Sequence, residues 1–138
     1  MMLSMHTPHT FIFNTLEGIS QKQLDVHIKL YEGYVKFLNT LEEKRAELAL
    51  DPEKNSYALA EVTRRYGFEW NGMRMHEHYF SQWEGGAAPI VGVLADALES
   101  EFGSMDEWLA DFKRTAMMRG IGWALLSFDE KTGRLMNH

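Results

Sequence analysis

The 138-residue sequence predicts a mainly α-helical α+β fold, in which an antiparallel helical hairpin precedes further helices and the start of a small antiparallel β-sheet. Three observations predict this class. Apolar residues recur at three- and four-residue steps over two long segments, a glycine-rich break follows at residues 85–89, and the chain then carries two short apolar runs around a turn. We expect an N-terminal arm and hairpin domain over residues 1–84 and an incomplete C-terminal α/β domain over residues 85–138.

The first helix is predicted to begin after Ser20, behind an extended arm over residues 1–18 that shows no helical period. Ser20 and Gln23 have the spacing of a capping box, in which each side chain bonds the backbone N–H of the other residue. Helically spaced apolar residues follow, and the pair Asp51-Pro52 ends the helix because proline cannot continue the backbone ladder.

The second long helix is predicted from about Ser56. Gly67 and Gly72 weaken it, because glycine inside a helix costs about 1 kcal/mol relative to alanine. We therefore expect tertiary contacts to hold this helix together.

Two short helices and two short strands are predicted beyond the glycine-rich break. Ser104 and Glu107 have the spacing of a second capping box. The predicted bounds are 90–102 and 105–118 for the helices, and 123–128 and 134–136 for the strands.

Composition excludes several classes of function. The sequence contains no cysteine, so disulfides, thiolate metal sites and cysteine nucleophiles are excluded. With 20 acidic and 14 basic residues, a net charge of −6 and no basic block, we expect no nucleic-acid partner. The apolar runs are far shorter than the roughly 20 residues of a membrane span. The N-terminus does not resemble a signal peptide, so we expect a cytoplasmic protein that does not bind a membrane.

Two of the six histidines, His27 and His76, lie on apolar faces of the predicted hairpin helices. Each lies about 20 residues from the turn, so at about 1.5 Å per residue both stand roughly 30 Å from it and come out level. Level histidines can share one metal ion, although a single histidine on such a face is more often a hydrogen-bonded core residue. Two ligands are fewer than the three that a redox metal usually takes, and Glu77 and His78 point elsewhere on a regular helix.

Five short motifs follow one another along nearly the whole chain. They are Ile19-Ser20 through His27 to Tyr34-Val35 and Leu38-Asn39; Asn71 to Phe80 with His76; Glu84-Gly85-Gly86 with Pro89; Phe102-Gly103-Ser104; and Gly120-Ile121-Gly122-Trp123-Ala124-Leu125-Leu126. In their order and spacing these motifs resemble those of the iron and manganese superoxide dismutases.

The resemblance implies a helical hairpin joined to a mixed domain, one iron or manganese ion per chain, and conversion of superoxide to oxygen and hydrogen peroxide. His27 and His76 would be two of the metal ligands. Tyr34 would be the catalytic tyrosine, in the hydrogen-bond network that feeds protons toward the metal. The residues around the ligands would be Tyr79, Phe80, Trp123 and Arg119.

The sequence also departs from that family. The chain reaches His138 without the D-x-W-x-H motif that carries the family's other aspartate and histidine ligands. The glutamine that bonds the solvent at the metal is absent, because Gly72 and Arg119 occupy the two positions where it is found. An arginine there opposes a nearby cation. The K-H-H that usually follows the first ligand reads Lys29-Leu30-Tyr31.

Three hypotheses follow from these departures. In the first, this sequence is a portion of a superoxide dismutase homologue, and a further C-terminal segment supplies two strands and the remaining ligands. In the second, it is a non-enzymatic protein of the same fold that acts as an interaction module. In the third, it is complete and binds a metal through His27, His76 and a group from the arm or a partner subunit.

We expect a homodimer or other homo-oligomer, because the strand beginning at Arg134 would otherwise leave an unpaired edge. The sequence does not decide whether the metal is iron or manganese, because both accept the same nitrogen and oxygen ligands. It also leaves open whether His76 or His78 is the second ligand, and whether the chain is active.

Overall fold

A computed structural model describes residues 5–14 and 16–138. The chain forms two compact units, the first ending at Ala87 and the second running from Ala88 to His138. A mainly helical chain with one two-stranded antiparallel sheet confirms the predicted fold class. The predicted boundary between an N-terminal domain (residues 1–84) and a C-terminal domain (residues 85–138) stays a prediction. The elements are α1 (Gln21–Leu48), α2 (Ser56–Ser81), α3 (Val93–Phe102), α4 (Met105–Ala116), β1 (Leu126–Asp129) and β2 (Arg134–Asn137).

The predicted capping box at the start of α1 is present. The Gln23 N–H donates to the Ser20 hydroxyl at 3.3 Å, and the Ser20 N–H donates to Gln23 Oε1 at 2.9 Å. Two of the backbone N–H groups at this helix end are thereby satisfied within four residues of sequence. The helix ends at Leu48, shortly before the predicted stop at Pro52.

The core of the first unit lies between α1 and α2. Its buried residues are Tyr31, Val35 and Leu38 from α1, and Met73 and Phe80 from α2. Because these side chains recur at helical spacing, one face of each helix lines this core. The second helix runs unbroken through both of its glycines. That tertiary contacts hold it together stays a prediction.

The arm over residues 5–14 is bonded to α1 at two points. Asn39 accepts from the His6 N–H at 2.8 Å and donates to the His6 carbonyl at 2.9 Å. The His9 N–H donates to the Tyr31 hydroxyl at 2.8 Å. The sequence predicted an extended arm but not where it lies, and these hydrogen bonds place residues 5–14 along α1.

The second unit packs α3 and α4 against a β-hairpin. Leu98 is its fully buried apolar side chain among the described residues. The strands pair from Leu126 with Asn137 to Asp129 with Arg134. Among the described residues, no helix combines the length and the apolar content needed to cross a membrane.

The bounds in this unit differ from those predicted, and β2 reaches Asn137 rather than ending at residue 136. Helix α3 begins at Val93 rather than at residue 90, because Gly92 has a φ of 67°, outside the helical region. Helix α4 ends at Ala116 rather than at residue 118. Strand β1 begins at Leu126 rather than at residue 123 and ends at Asp129. Leu125, just before it, exchanges both backbone hydrogen bonds with His138.

Candidate metal centre

His27 on α1 and His76 on α2 meet inside the first unit. Their ring centroids lie 5.0 Å apart with the rings nearly perpendicular, at 85°. His76 is 4% exposed and His27 is half-buried. The prediction that the two histidines come out level on facing helices is confirmed. Their role as metal ligands stays a prediction.

Both imidazoles sit in surroundings that favour the neutral ring. Burial lowers the pKa of His27, and the neighbouring His76 lowers it further. Burial also lowers the pKa of His76, against a smaller opposing effect of its hydrogen bond to the Gly72 carbonyl. Because metals bind the neutral imidazole, this environment suits a ligand pair.

The hydrogen bond to Gly72 also sets the tautomer of His76. His76 Nδ1 lies 2.6 Å from the carbonyl oxygen of Gly72. A carbonyl oxygen only accepts, so Nδ1 carries the hydrogen and the neutral ring has its lone pair on Nε2. Orientation of a ligand by such a bond is typical of histidines at metal sites.

Aromatic side chains surround the pair. The Phe80 and Tyr79 rings lie 4.9 and 5.2 Å from the His27 ring, and the Tyr34 ring lies 5.1 Å from the His76 ring. Phe80 is fully buried, and burial raises the pKa of the Tyr79 phenol. Tyr34, Tyr79 and Phe80 therefore lie beside the two histidines, and their role around a metal stays a prediction.

The arm completes the aromatic cluster behind Phe80. Phe11 and Phe13 pack on the Phe80 ring at centroid distances of 5.1 and 5.9 Å. The sequence did not predict this packing of the arm on Phe80, because an extended segment carries no periodicity that fixes its position.

The neighbours of His76 along α2 point elsewhere, as predicted. His78 is exposed. Glu77 accepts hydrogen bonds from the Tyr31 hydroxyl at 3.1 Å and from Arg74 at 2.6 Å. Of the two candidate second ligands, His76 is therefore the one that faces His27.

The described residues offer the pair no third ligand. Within residues 5–14 and 16–138, no three side chains of histidine, cysteine, aspartate or glutamate come together as a metal site. The arm histidines make other contacts, with His6 3.4 Å from Glu42 and His9 packed edge-on against Phe11 at 4.8 Å. The donor set fits two positions of an iron or manganese ion.

The other two predicted site residues belong to the second unit. Trp123 is half-buried and Arg119 is exposed, and both precede β1. Their assignment to the metal surroundings stays a prediction.

Sequence reasoning missed the role of Tyr31. Its side chain is fully buried, and its hydroxyl accepts from the His9 N–H while donating to Glu77. Burial raises the pKa of Tyr31, although the His9 N–H opposes this, so the phenol keeps the proton that it donates. The four-residue step from His27 to Tyr31 was the available signal, since it places both residues on one helix face.

Sequence reasoning also missed a buried carboxylate on α2. Glu69 is 3% exposed and is bonded by Arg65 at 2.8 Å. The Arg65 guanidinium lies 4.4 Å from the centre of the Phe68 ring, which in turn lies 6.0 Å from the Tyr34 ring. The i,i+4 spacing of Arg65 and Glu69 was the signal for this pair.

The sequence model of the family described as iron/manganese superoxide dismutases, C-terminal domain, matches residues 90–138. "Superoxide dismutase [Mn] 2" of Haloferax mediterranei is 36% identical over 110 residues, which cover 76% of this chain and 72% of that relative. The chain belongs to the iron/manganese superoxide dismutase family.

Relatives named for iron match this member of the family as well. "Superoxide dismutase [Fe]" of Cupriavidus metallidurans is 35% identical, with 88% of this chain and 62% of the relative covered. "Superoxide dismutase [Fe]" of Saccharolobus solfataricus is 32% identical, with 85% of this chain and 58% of the relative covered. The chain thus spans about three fifths of the length of these two curated relatives.

Proposed function

We propose that this protein takes part in the disproportionation of superoxide to oxygen and hydrogen peroxide, through one iron or manganese ion held by His27 and His76. One observation carries the proposal. A buried and a half-buried imidazole, both favoured in the neutral state, face each other at 5.0 Å on adjacent helices of a chain that belongs to this family. Nitrogen ligands of this kind suit either metal, so the choice between them stays open.

A bound iron or manganese ion would supply the one-electron chemistry. The chain's own residues then have three tasks. The Gly72 carbonyl holds His76 with Nε2 available for coordination. Phe80, edge-on to His27, and Tyr79, tilted against it, keep bulk water from that side of the pair. An apolar surrounding of this kind controls solvent access to a metal.

The third task is proton supply. Formation of one hydrogen peroxide and one oxygen from two superoxide anions consumes two protons, so the site needs a donor. The Tyr34 phenol is half-buried with its ring 5.1 Å from the His76 ring, and we assign to its Oη–H a place in the path of those protons.

Two ligands do not complete a site, so the proposal requires others from a partner subunit or from chain beyond the described residues. A homo-oligomer is part of the proposal, as is the placement of Trp123 and Arg119 near the metal. We expect Arg119 to weaken binding of a cation there, because like charges repel.

The test measures metal content per chain, by inductively coupled plasma mass spectrometry, together with the rate of superoxide loss. We expect bound iron or manganese and an activity that disappears in His27→Ala and in His76→Ala. His78→Ala is the matched control, because His78 lies on the same helix but is exposed. Metal-free protein that gains neither metal nor stability when iron or manganese is added would overturn the proposal and favour the interaction module.

A further inference from the structure

Gly72 on α2 lies directly against the side chain of Tyr34 on α1. A Cβ atom placed on Gly72 would overlap Cδ1 and Cε1 of the Tyr34 ring and would lie 2.8 Å from its Cγ. Separations below 3.0 Å are essentially never seen for real Cβ atoms. The Tyr34 ring therefore occupies the space that any other residue at position 72 would fill.

The overlap cannot be relieved by turning the ring in place. Cγ lies on the axis of the χ2 rotation, so a ring flip moves Cδ1 and Cε1 but leaves Cγ where it is. Relief requires either a new χ1 rotamer of Tyr34 or a wider separation of α1 and α2. Either change displaces the Tyr34 ring from its present place beside His76, whose ring centroid lies 5.1 Å from it.

Gly72 also holds His76 through its carbonyl oxygen, at 2.6 Å from Nδ1. Gly72 therefore acts on two groups of the centre: its missing side chain leaves room for the Tyr34 ring, and its carbonyl bonds the His76 ring. Gly67, which lies five residues earlier in α2, has no such close neighbour, because a Cβ placed there meets nothing within 4 Å.

We propose that Gly72 is a positioning residue, whose missing side chain seats the Tyr34 ring against α2 beside His76 while its carbonyl orients the His76 ring. The inference rests on the proposed function for its chemical meaning. Its physical content, the position of the Tyr34 ring relative to His76, is measurable in the metal-free protein.

The experiment compares Gly72→Ala with Gly67→Ala by urea unfolding, each in the natural chain and in a Tyr34→Ala chain. Alanine is the better helix former, so Gly67→Ala raises the folding equilibrium constant about fivefold in both chains. Overpacking against the ring makes Gly72→Ala lower that constant about tenfold in the natural chain. Once Tyr34→Ala has removed the ring, we expect Gly72→Ala to raise it about as much as Gly67→Ala does.

A spectroscopic measurement separates positioning from general loss of stability. In isotopically labelled protein, nuclear Overhauser effects between the Tyr34 and His76 rings should be present in the natural chain and in Gly67→Ala, and lost in Gly72→Ala. The His76 ¹⁵N shifts, which report the tautomer, should stay those of an Nδ1–H ring, because alanine keeps the carbonyl.

Three results overturn the inference. These are a Gly72→Ala protein as stable as Gly67→Ala, unchanged contacts between the two rings, or a cost of Gly72→Ala that persists in the Tyr34→Ala chain. If Gly72→Ala alone does not fold, the double variant decides, since it folds only if the ring causes the clash. None of these measurements involves metal or superoxide, so failure of the proposed function leaves the result readable.

Discussion

Phe80 holds together the arm, the two long helices and the histidine pair, and Phe80→Ala tests that arrangement. The side chain is 0% exposed and packs against His27 at 4.9 Å and against Phe11 at 5.1 Å. Truncation of a fully buried phenylalanine costs about 3–5 kcal/mol, from lost transfer free energy and from the cavity left behind. A loss of that size is a large part of the stability of an ordinary domain.

The assay is urea unfolding followed by helical circular dichroism. Helices α1 and α2 contain 28 and 26 residues against 10 and 12 in α3 and α4, so the signal reports chiefly on the hairpin. At a slope of about 2 kcal/mol per molar urea, a loss of about 4 kcal/mol lowers the midpoint by about 2 M.

Phe37→Ala is the matched control, because Phe37 lies on α1 and is 56% exposed. We expect it to change the free energy of unfolding by about 0.5 kcal/mol or less. If Phe80→Ala shifts the midpoint no further than Phe37→Ala does, the placement of Phe80 at the centre of this cluster is wrong.

Three further outcomes are expected. Tyr31→Phe removes the hydroxyl that accepts from the His9 N–H, and should cost about 1–3 kcal/mol in urea unfolding and speed hydrogen exchange at the His9 amide. Leu98→Ala should cost the second unit about 2–5 kcal/mol, measured by hydrogen exchange in α3 and α4, and a smaller loss would contradict its place as the buried centre of that unit. Hydrogen bonds from Arg134 hold the pKa of Glu101 below its usual range, so the stability that this carboxylate adds is present above its unfolded-state pKa and is lost as pH falls through its folded-state pKa. Acid unfolding of Glu101→Gln should show a shallower dependence on pH than the natural chain, and an identical profile would refute this.

Local rules were enough to predict much of the hairpin. Helical rise and the position of Pro52 placed His27 and His76 level before any tertiary contact was known, because both quantities are properties of the backbone. The cap at Ser20 was equally readable, since its two partners lie within one turn. Where the relevant geometry is contained in one helix or one turn, sequence reasoning predicted it.

The parts that were missed depend on contacts between distant segments. The arm was placed by Asn39 and Tyr31, which lie 33 and 22 residues from their partners in the arm. Gly72 was interpreted as a weak point of the helix and as a position where the family's glutamine is absent. Its contact with Tyr34 was missed, because nothing in a single sequence shows that the ring of Tyr34 fills the space beside it. The late start of α3 followed from the backbone conformation of Gly92, which its neighbours in sequence do not dictate.

The candidate centre is built from two short stripes, one on each long helix. On α2 the stripe is Gly72, His76 and Phe80, at steps of four, and it supplies the orienting carbonyl, one imidazole and the buried wall. On α1 the other imidazole, the buried phenol and the proposed proton donor follow at steps of four and three. Each residue turns a helix by about 100°, so one inserted residue inside either stripe would carry the groups beyond it off the shared face. The centre therefore depends on helix register as well as on its side chains. Glycine holds its position in the α2 stripe because the Tyr34 ring fills the space beside it.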